Sequence, residues 1–388
     1  MLLDTLSDKA PAWLSGDKTD GEAAVLTQCS LARNLADFPF PNRCSPEEKR
    51  QIIDRVHSVF DSLSLLSSGQ FYPLEELGLR ELRFLAERRL VTYEFLRADG
   101  PRAVYVSDDQ GLAIMVNGAD HLCARTICAG LQPQEAWARL NLMDDTLVGT
   151  FDYAFNERLG YLTSALAHVG TGLKASVILH LPALSLGDEL TRRQTSARAM
   201  RFTLAGVRPG VDDPRLLRKM TRERSTSAPD TLLGESFFTD MSGAVCGPLN
   251  EASGDLFLLV NEGTLGISEE EIVFHLRHLA AETVEKERQA RQQLFDDSAR
   301  GLEDRVGRAH GLASGARLMG FAEAVGLLSS LRLGVATKTL SKCTVGQLNE
   351  LLLNSQRAHL EMAAGHALDE LSLNVERAEL FRSRFRAA

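Results

Sequence analysis

Apolar residues recur at helical spacing in some stretches of the chain and form compact runs in others. Residues 45–66 open with Ser45, Pro46, Glu47 and Glu48: an N-cap, a proline at the first helical position and a glutamate that completes a capping box. Ile52, Val56, Val59 and Leu63 then share one face, and residues 74–90 are again leucine-rich at helical spacing, so the pattern predicts a small helical domain over 1–95. The period then changes. Ala103–Ser107 and Leu112–Val116 are β-type runs separated by Asp108, Asp109, Gln110 and Gly111, a predicted hairpin that opens a mixed α/β domain. Helical spacing over 133–147 and compact apolar runs at 176–181 and 256–260 continue it. Ser268 to Glu271 forms a second capping box, opening a long charged helix towards Arg291, and from there the pattern is helical to the end.

Composition narrows the class. A length of 388 residues predicts two or three domains, and a net charge of −9 makes nucleic acid and anionic lipid poor partners. The absence of a long apolar run or a basic leader segment predicts a cytoplasmic protein. Six scattered cysteines predict reduced thiols. His121, Cys123 and Cys128 lack a fourth ligand or a second cysteine pair, so no metal site is expected. Phosphate-loop and Gly-x-Ser-x-Gly motifs do not occur. One stretch departs from the rest: residues 187–224 carry ten Arg or Lys against five Asp or Glu, which predicts a solvated loop with a basic helix over 215–224, or a docking patch for an acidic partner.

Several ordered motifs resemble the ATP:guanidino phosphotransferases. They are Ser-Leu-Ala-Arg-Asn-Leu at 30–35 with Phe-Pro-Phe-Pro at 38–41, Met-Val-Asn-Gly-Ala-Asp-His-Leu at 115–122, Gly-Tyr-Leu-Thr-Ser at 160–164, Val-Gly-Thr-Gly-Leu-Lys at 169–174, and Leu-Gly-Ile-Ser-Glu-Glu at 265–270. Leu-Glu-Asp-Arg-Val at 302–306, Leu-Arg-Leu-Gly at 331–334 and Gln-Leu-Asn-Glu-Leu-Leu at 347–352 resemble the extra C-terminal domain of the bacterial, McsB-type protein-arginine kinases. The resemblance implies an α+β fold: a small N-terminal helical domain (1–95), a guanidino-kinase-type domain with an antiparallel-rich sheet flanked by helices (96–289), and a C-terminal helical domain (290–388). Segment 183–242 is longer than the family's and holds the basic stretch.

The family's chemistry passes the γ-phosphoryl of MgATP to a guanidinium. Arginines hold the phosphates in a fixed planar fork, and paired carboxylates orient and deprotonate the nucleophile. The resemblance places phosphate-binding arginines at positions that here hold Gln28, Ser30, Cys123, Lys174 and Gly243, of which only Lys174 keeps a charge. The family's carboxylates fall on Ala119 and Pro248, the glutamate beside the first on Gly118, and its cysteine on Ala165. The phosphoarginine-docking motif of the tail falls on residues 373–378, where Leu373 and Asn374 replace its Arg-Asp pair and Arg377 remains. Charge-assisted hydrogen bonds contribute about 1.5–3 kcal/mol each, so these losses predict a pseudokinase that needs no cofactor and acts by binding protein. In that reading Asp120 and His121 are a buried polar pair, His180 a strand histidine and residues 170–172 a backbone turn. The alternative is an active enzyme with a rearranged site: Lys174, Arg33 and Arg125 on the phosphates of MgATP, and Asp120 or Glu251 as the carboxylate. The resemblance also implies partners: a zinc-binding activator protein, a Clp-type unfoldase and a second copy of the chain joined through the C-terminal domain.

Overall fold

A computed structural model describes residues 4–15, 20–208, 238–239 and 245–386. Its strands are β1 (Ala24–Arg33), β2 (Gln70–Pro73), β3 (Ala103–Val106), β4 (Leu112–Val116), β5 (Leu122–Ala129), β6 (Phe155–Asn156), β7 (Gly160–Tyr161), β8 (Leu173–His180), β9 (Phe202–Arg208), β10 (Phe238–Thr239), β11 (Val245–Gly247) and β12 (Leu256–Asn261). Its helices are α1 (Asp4–Ser7), α2 (Pro46–Ser62), α3 (Leu79–Glu87), α4 (Tyr93–Arg97), α5 (Pro133–Val148), α6 (Glu189–Ala199), α7 (Glu269–Gly315), α8 (Phe321–Ala336), α9 (Val345–Asn354), α10 (Arg357–Ala364) and α11 (Glu370–Arg386).

Ten strands form one antiparallel sheet in the order β10-β11-β9-β12-β8-β1-β5-β4-β3-β2. The predicted capping boxes close at both helix starts: Ser45 with Glu48 at α2, and Ser268 with Glu271 at α7. The hairpin forms as β3 and β4, paired from Ala103 with Val116 to Val106 with Ala113. A helical domain over 1–95 set apart from the sheet is not what forms. β1 lies near the middle of the sheet between β5 and β8, and β2 closes one edge. The reason is burial on both faces: all ten β1 residues are buried, so Gln28 and Ser30 meet protein rather than solvent and the run shows no polar outer face. Residues 74–90 split into a short 3-10 turn and α3. The basic segment 215–224 lies outside the described residues.

Alternation along the strands gives the sheet two unlike faces. On one, Cys29, Leu31, Ala124, Ala175, Val177 and Leu259 pack against α2, α5 and the first half of α7. On the other, two separate apolar groups form. Leu26, Ile127, Ile178 and Leu258 meet Trp13, Leu14 and Leu353, while Val104, Val106, Ala113 and Met115 meet Phe84, Phe95 and Ala358. The C-terminal helices make their own core around Ala313, Leu331, Leu348 and Phe381. The 47-residue helix α7 runs through both regions and leaves helical angles at Ser298, where φ is −153°. Among the described residues no helix is long and apolar enough to cross a membrane.

Candidate active site

The strip of sheet between the two apolar groups is polar. Ser30 of β1 pairs directly with Arg125 of β5 on one side and Lys174 of β8 on the other, and Gln28 pairs with Ser176. Directly opposed residues share a face, so Gln28, Ser30, Arg125, Lys174 and Cys123 (opposite Ala32) all look the same way. Four of the five positions at which the resemblance expects phosphate ligands thus share this face; Gly243 lies outside the described residues.

Each cation that remains already donates to protein. Lys174 Nζ donates to the carbonyl of Asn261 at 2.5 Å. Arg125 is fully buried, and its Nη1 donates to the carbonyl of Arg89 at 2.8 Å. Arg33, three residues beyond Ser30 at the end of β1, faces the opposite side of the sheet, towards α5, and is the most fully engaged. Its Nη2 and Nε lie 2.7 Å and 3.2 Å from Asp144 Oδ2, and its Nη1 donates to the carbonyls of Thr171 (2.8 Å) and Ala32 (3.0 Å). The guanidinium also sits 3.5 Å from the centre of the Tyr161 ring. Burial raises the Asp144 pKa against the opposing pull of Arg33. A triphosphate with its magnesium ion needs several forked donors on one face; here Gln28, Ser30 and Cys123 are neutral, Lys174 has no fork, and Lys174 Nζ and Arg125 Nη1 each already meet a carbonyl. The residues as placed do not fit MgATP.

The first carboxylate position, Ala119, and the thiol position, Ala165, lie close together. Ser164 ties the two: its Oγ donates to the carbonyl of Ala119 at 2.6 Å, and its amide to Asp120 Oδ1 at 2.7 Å, one residue before Ala165. Ala119 is exposed and Ala165 half-buried. Asp120 also accepts from Asn34 Nδ2 at 2.7 Å, and burial raises its pKa over those two hydrogen bonds. Pro248 stands apart from them, exposed on the turn after β11, with its carbonyl beside Gly206. Glu251, the other candidate acid, is ion-paired with Arg208 of β9, two strands away from Lys174.

The loop after Ala165 does not fill the strip with its leucine. Leu166 is 90 % exposed. His168 is half-buried, and burial followed by the Lys174 charge moves its pKa down to about 4. Gly170 and Gly172 form the expected turn, with φ of 118° and 71°; a Cβ on Gly170 would lie 2.4 Å from the Thr264 carbonyl. Asp120 and His121 are both buried and share Asn34 rather than bonding each other: the Asn34 side chain donates to Asp120 and accepts the His121 amide. His121 Nδ1 accepts the Leu35 amide at 3.0 Å. Cys123 faces the polar strip, and Cys128, at odd spacing from it on β5, faces the opposite side. His180 is a buried strand residue whose Nε2 lies 3.0 Å from Ser329 Oγ of α8.

In the tail, Arg377 is buried and serves as a tie. Its Nε donates to the Ser355 carbonyl (2.8 Å), and its Nη1 to the Met319 carbonyl and Asn374 Oδ1 (both 2.9 Å). Leu373 is fully buried in the same helix. Several residues that shape the site escaped the sequence reading: Asn34, Asp144, Tyr161 and Asn261. Asp144 carried a signal, since it is an acid beside the buried stripe Leu140, Met143 and Leu147 of α5.

Comparison with known proteins identifies the family. Residues 51–214 match the model of the ATP:guanido phosphotransferase C-terminal catalytic domain, and residues 299–388 that of the protein-arginine kinase McsB C-terminal domain. The chain is 34 % identical to the protein-arginine kinase of Pelotomaculum thermopropionicum over 99 % of this chain and 98 % of that protein. It is 33 % identical to that of Symbiobacterium thermophilum over 97 % and 96 %. Among solved structures, a lombricine kinase superposes with a TM-score of 0.53 at 18 % identity, covering 76 % of this chain and 72 % of that one, a likeness of fold. By its full-length similarity, the chain belongs to the protein-arginine kinase family of ATP:guanido phosphotransferases.

Proposed function

We propose that this member of the family has lost phosphoryl transfer and works as a regulatory or scaffolding module that binds protein. The observation that carries this reading is the polar strip itself, where Gln28, Ser30 and Cys123 are neutral and Lys174 Nζ already donates to the Asn261 carbonyl. Its support comes from the two methyl groups, Ala119 and Ala165, that stand where the family places a carboxylate and a thiol. Without a nearby carboxylate a protein arginine stays protonated and is no nucleophile.

A second reading is an active ATP-dependent protein-arginine phosphotransferase, and the comparisons favour it over the first, since the relatives named above are protein-arginine kinases. It requires Lys174, Arg33 and Arg125 to exchange their present acceptors for MgATP, with Asp120 as the acid. Incubating the purified chain with γ-labelled ATP and an arginine-rich protein separates the two. No acid-labile phosphoarginine is expected, and stoichiometric labelling that disappears in Asp120→Asn establishes the second reading instead.

The partners proposed from the resemblance are a zinc-binding activator protein, a Clp-type unfoldase and a second copy of this chain. Sedimentation of the full chain tests the last of these: a dimer is expected at micromolar concentration, and a monomer there removes it.

A further inference from the structure

The C-terminal helices are fastened to the sheet domain by a buried polar knot that the site's chemistry does not use. Glu87 and Arg88, at the end of α3, are both buried. Glu87 accepts the amides of Ala358 (2.8 Å) and His359 (3.2 Å), which open α10, and lies 2.7 Å from His359 Nδ1. Arg88 Nε meets His359 Nε2 at 3.2 Å. Its Nη1 donates to the carbonyls of Leu6 (2.6 Å) and Lys9 (2.8 Å) and to Gln110 Oε1 (2.7 Å). A neutral imidazole fits this position, giving its Nδ1 proton to Glu87 and taking that of Arg88 on Nε2. Burial agrees, holding the His359 pKa below its ordinary value against the pull of Glu87.

The next residue leads to the polar strip. Arg89 has φ of 62°, a left-handed backbone that a long side chain rarely adopts, and its carbonyl accepts from Arg125 Nη1. Three consecutive residues therefore join α10 to the guanidinium that sits across Ser30 from Lys174. With α10 seated, Glu87 and Arg88 are fixed on both sides and Arg89 is held where its carbonyl meets Arg125.

We propose that α10 is a latch on the anion affinity of the polar strip: seated, it keeps Arg125 on the Arg89 carbonyl, and lifted, it lets Arg89 relax and Arg125 turn to an anion beside Lys174. The coupling is reciprocal, so an anion that takes Arg125 loosens α10 by the same factor. The latch is independent of whether the chain transfers phosphate.

Inorganic pyrophosphate and the full chain provide the test. By calorimetry, Glu87→Gln and His359→Gln are expected to bind pyrophosphate at least about fivefold more tightly than the unaltered chain, the low end of ordinary coupling factors. Adding Arg125→Met to either returns the affinity to the starting value. Saturating pyrophosphate is also expected to speed hydrogen exchange at residues 357–364 of the unaltered chain, a measurement that needs no substitution and decides the matter if a variant does not fold. Equal affinities, a gain that survives Arg125→Met, unchanged exchange under saturation, or no binding by any of the proteins overturns the latch.

Discussion

Asp144 holds the guanidinium of Arg33 at 2.7 Å with both side chains buried, joining the end of β1 to helix α5. Removing one partner of a buried pair leaves an uncompensated charge, which typically costs 3–5 kcal/mol. Asp144→Ala is therefore expected to lose about that much stability in urea unfolding, and Asp144→Asn less, because an acceptor remains. An unchanged unfolding midpoint in Asp144→Ala would mean that the pair does not hold the site together.

Arg377 is expected to behave as a structural residue. It satisfies the carbonyls of Ser355 and Met319, and hydrogen bonds from a charged donor contribute about 1.5–3 kcal/mol each. Arg377→Leu should lower the thermal midpoint by several degrees, while free phosphoarginine leaves the midpoint of the unaltered chain where it is. Protection by phosphoarginine that is lost in Arg377→Leu is the contrary result.

His121 should make stability depend on pH in the acid range. Burial, with the Lys49 charge, moves its pKa down to about 4 from an ordinary 6.5, against the pull of the Pro39 carbonyl and Asp37, while Nδ1 accepts the Leu35 amide. The unfolded chain then binds the proton first, so this contribution is complete above pH 6.5 and is lost as pH falls towards 4, by about 3 kcal/mol in all. Urea unfolding at pH 7, 5.5 and 4 should show a steeper decline than in His121→Gln. Parallel curves for the two proteins count against it.

Gly170 is the position where an added methyl has nowhere to go. Its φ of 118° and the 2.4 Å approach to the Thr264 carbonyl predict that Gly170→Ala loses more than about 1 kcal/mol and displaces the loop carrying Leu166. Ala119→Glu, at an exposed position, should stay within about 0.5 kcal/mol and still form no phosphoarginine. Equal stability of the glycine variant, or labelling by the Ala119 variant, would show that the site around Ala119 and Ala165 is more open than its backbone contacts imply.

Local chemistry made part of this structure legible in the sequence. Ser45 with Glu48 and Ser268 with Glu271 marked two helix starts because capping is decided within four residues. That Gln28, Ser30 and Lys174 share one sheet face follows only from the register of β1 with β8. β1 escaped because a strand covered on both faces, carrying polar residues inside a polar strip, shows neither alternation nor an apolar run. What each cation touches was also out of reach. Arg33 finds Asp144 111 residues away and Thr171 138 away, contacts that only the assembled sheet and its helices create.

Helix α7 also gives the molecule a mechanical axis. Its 47 residues form two helical segments that meet at Ser298, where the backbone leaves helical angles; at about 1.5 Å per residue the segments before and after it extend roughly 43 Å and roughly 25 Å. The C-terminal helices also meet the sheet domain directly, through Glu87 with His359 and His180 with Ser329, so a pull on them is shared between those contacts and this joint. Ser298 thus sets the angle between a first half of α7 that packs on the sheet and a second half that packs in the C-terminal core.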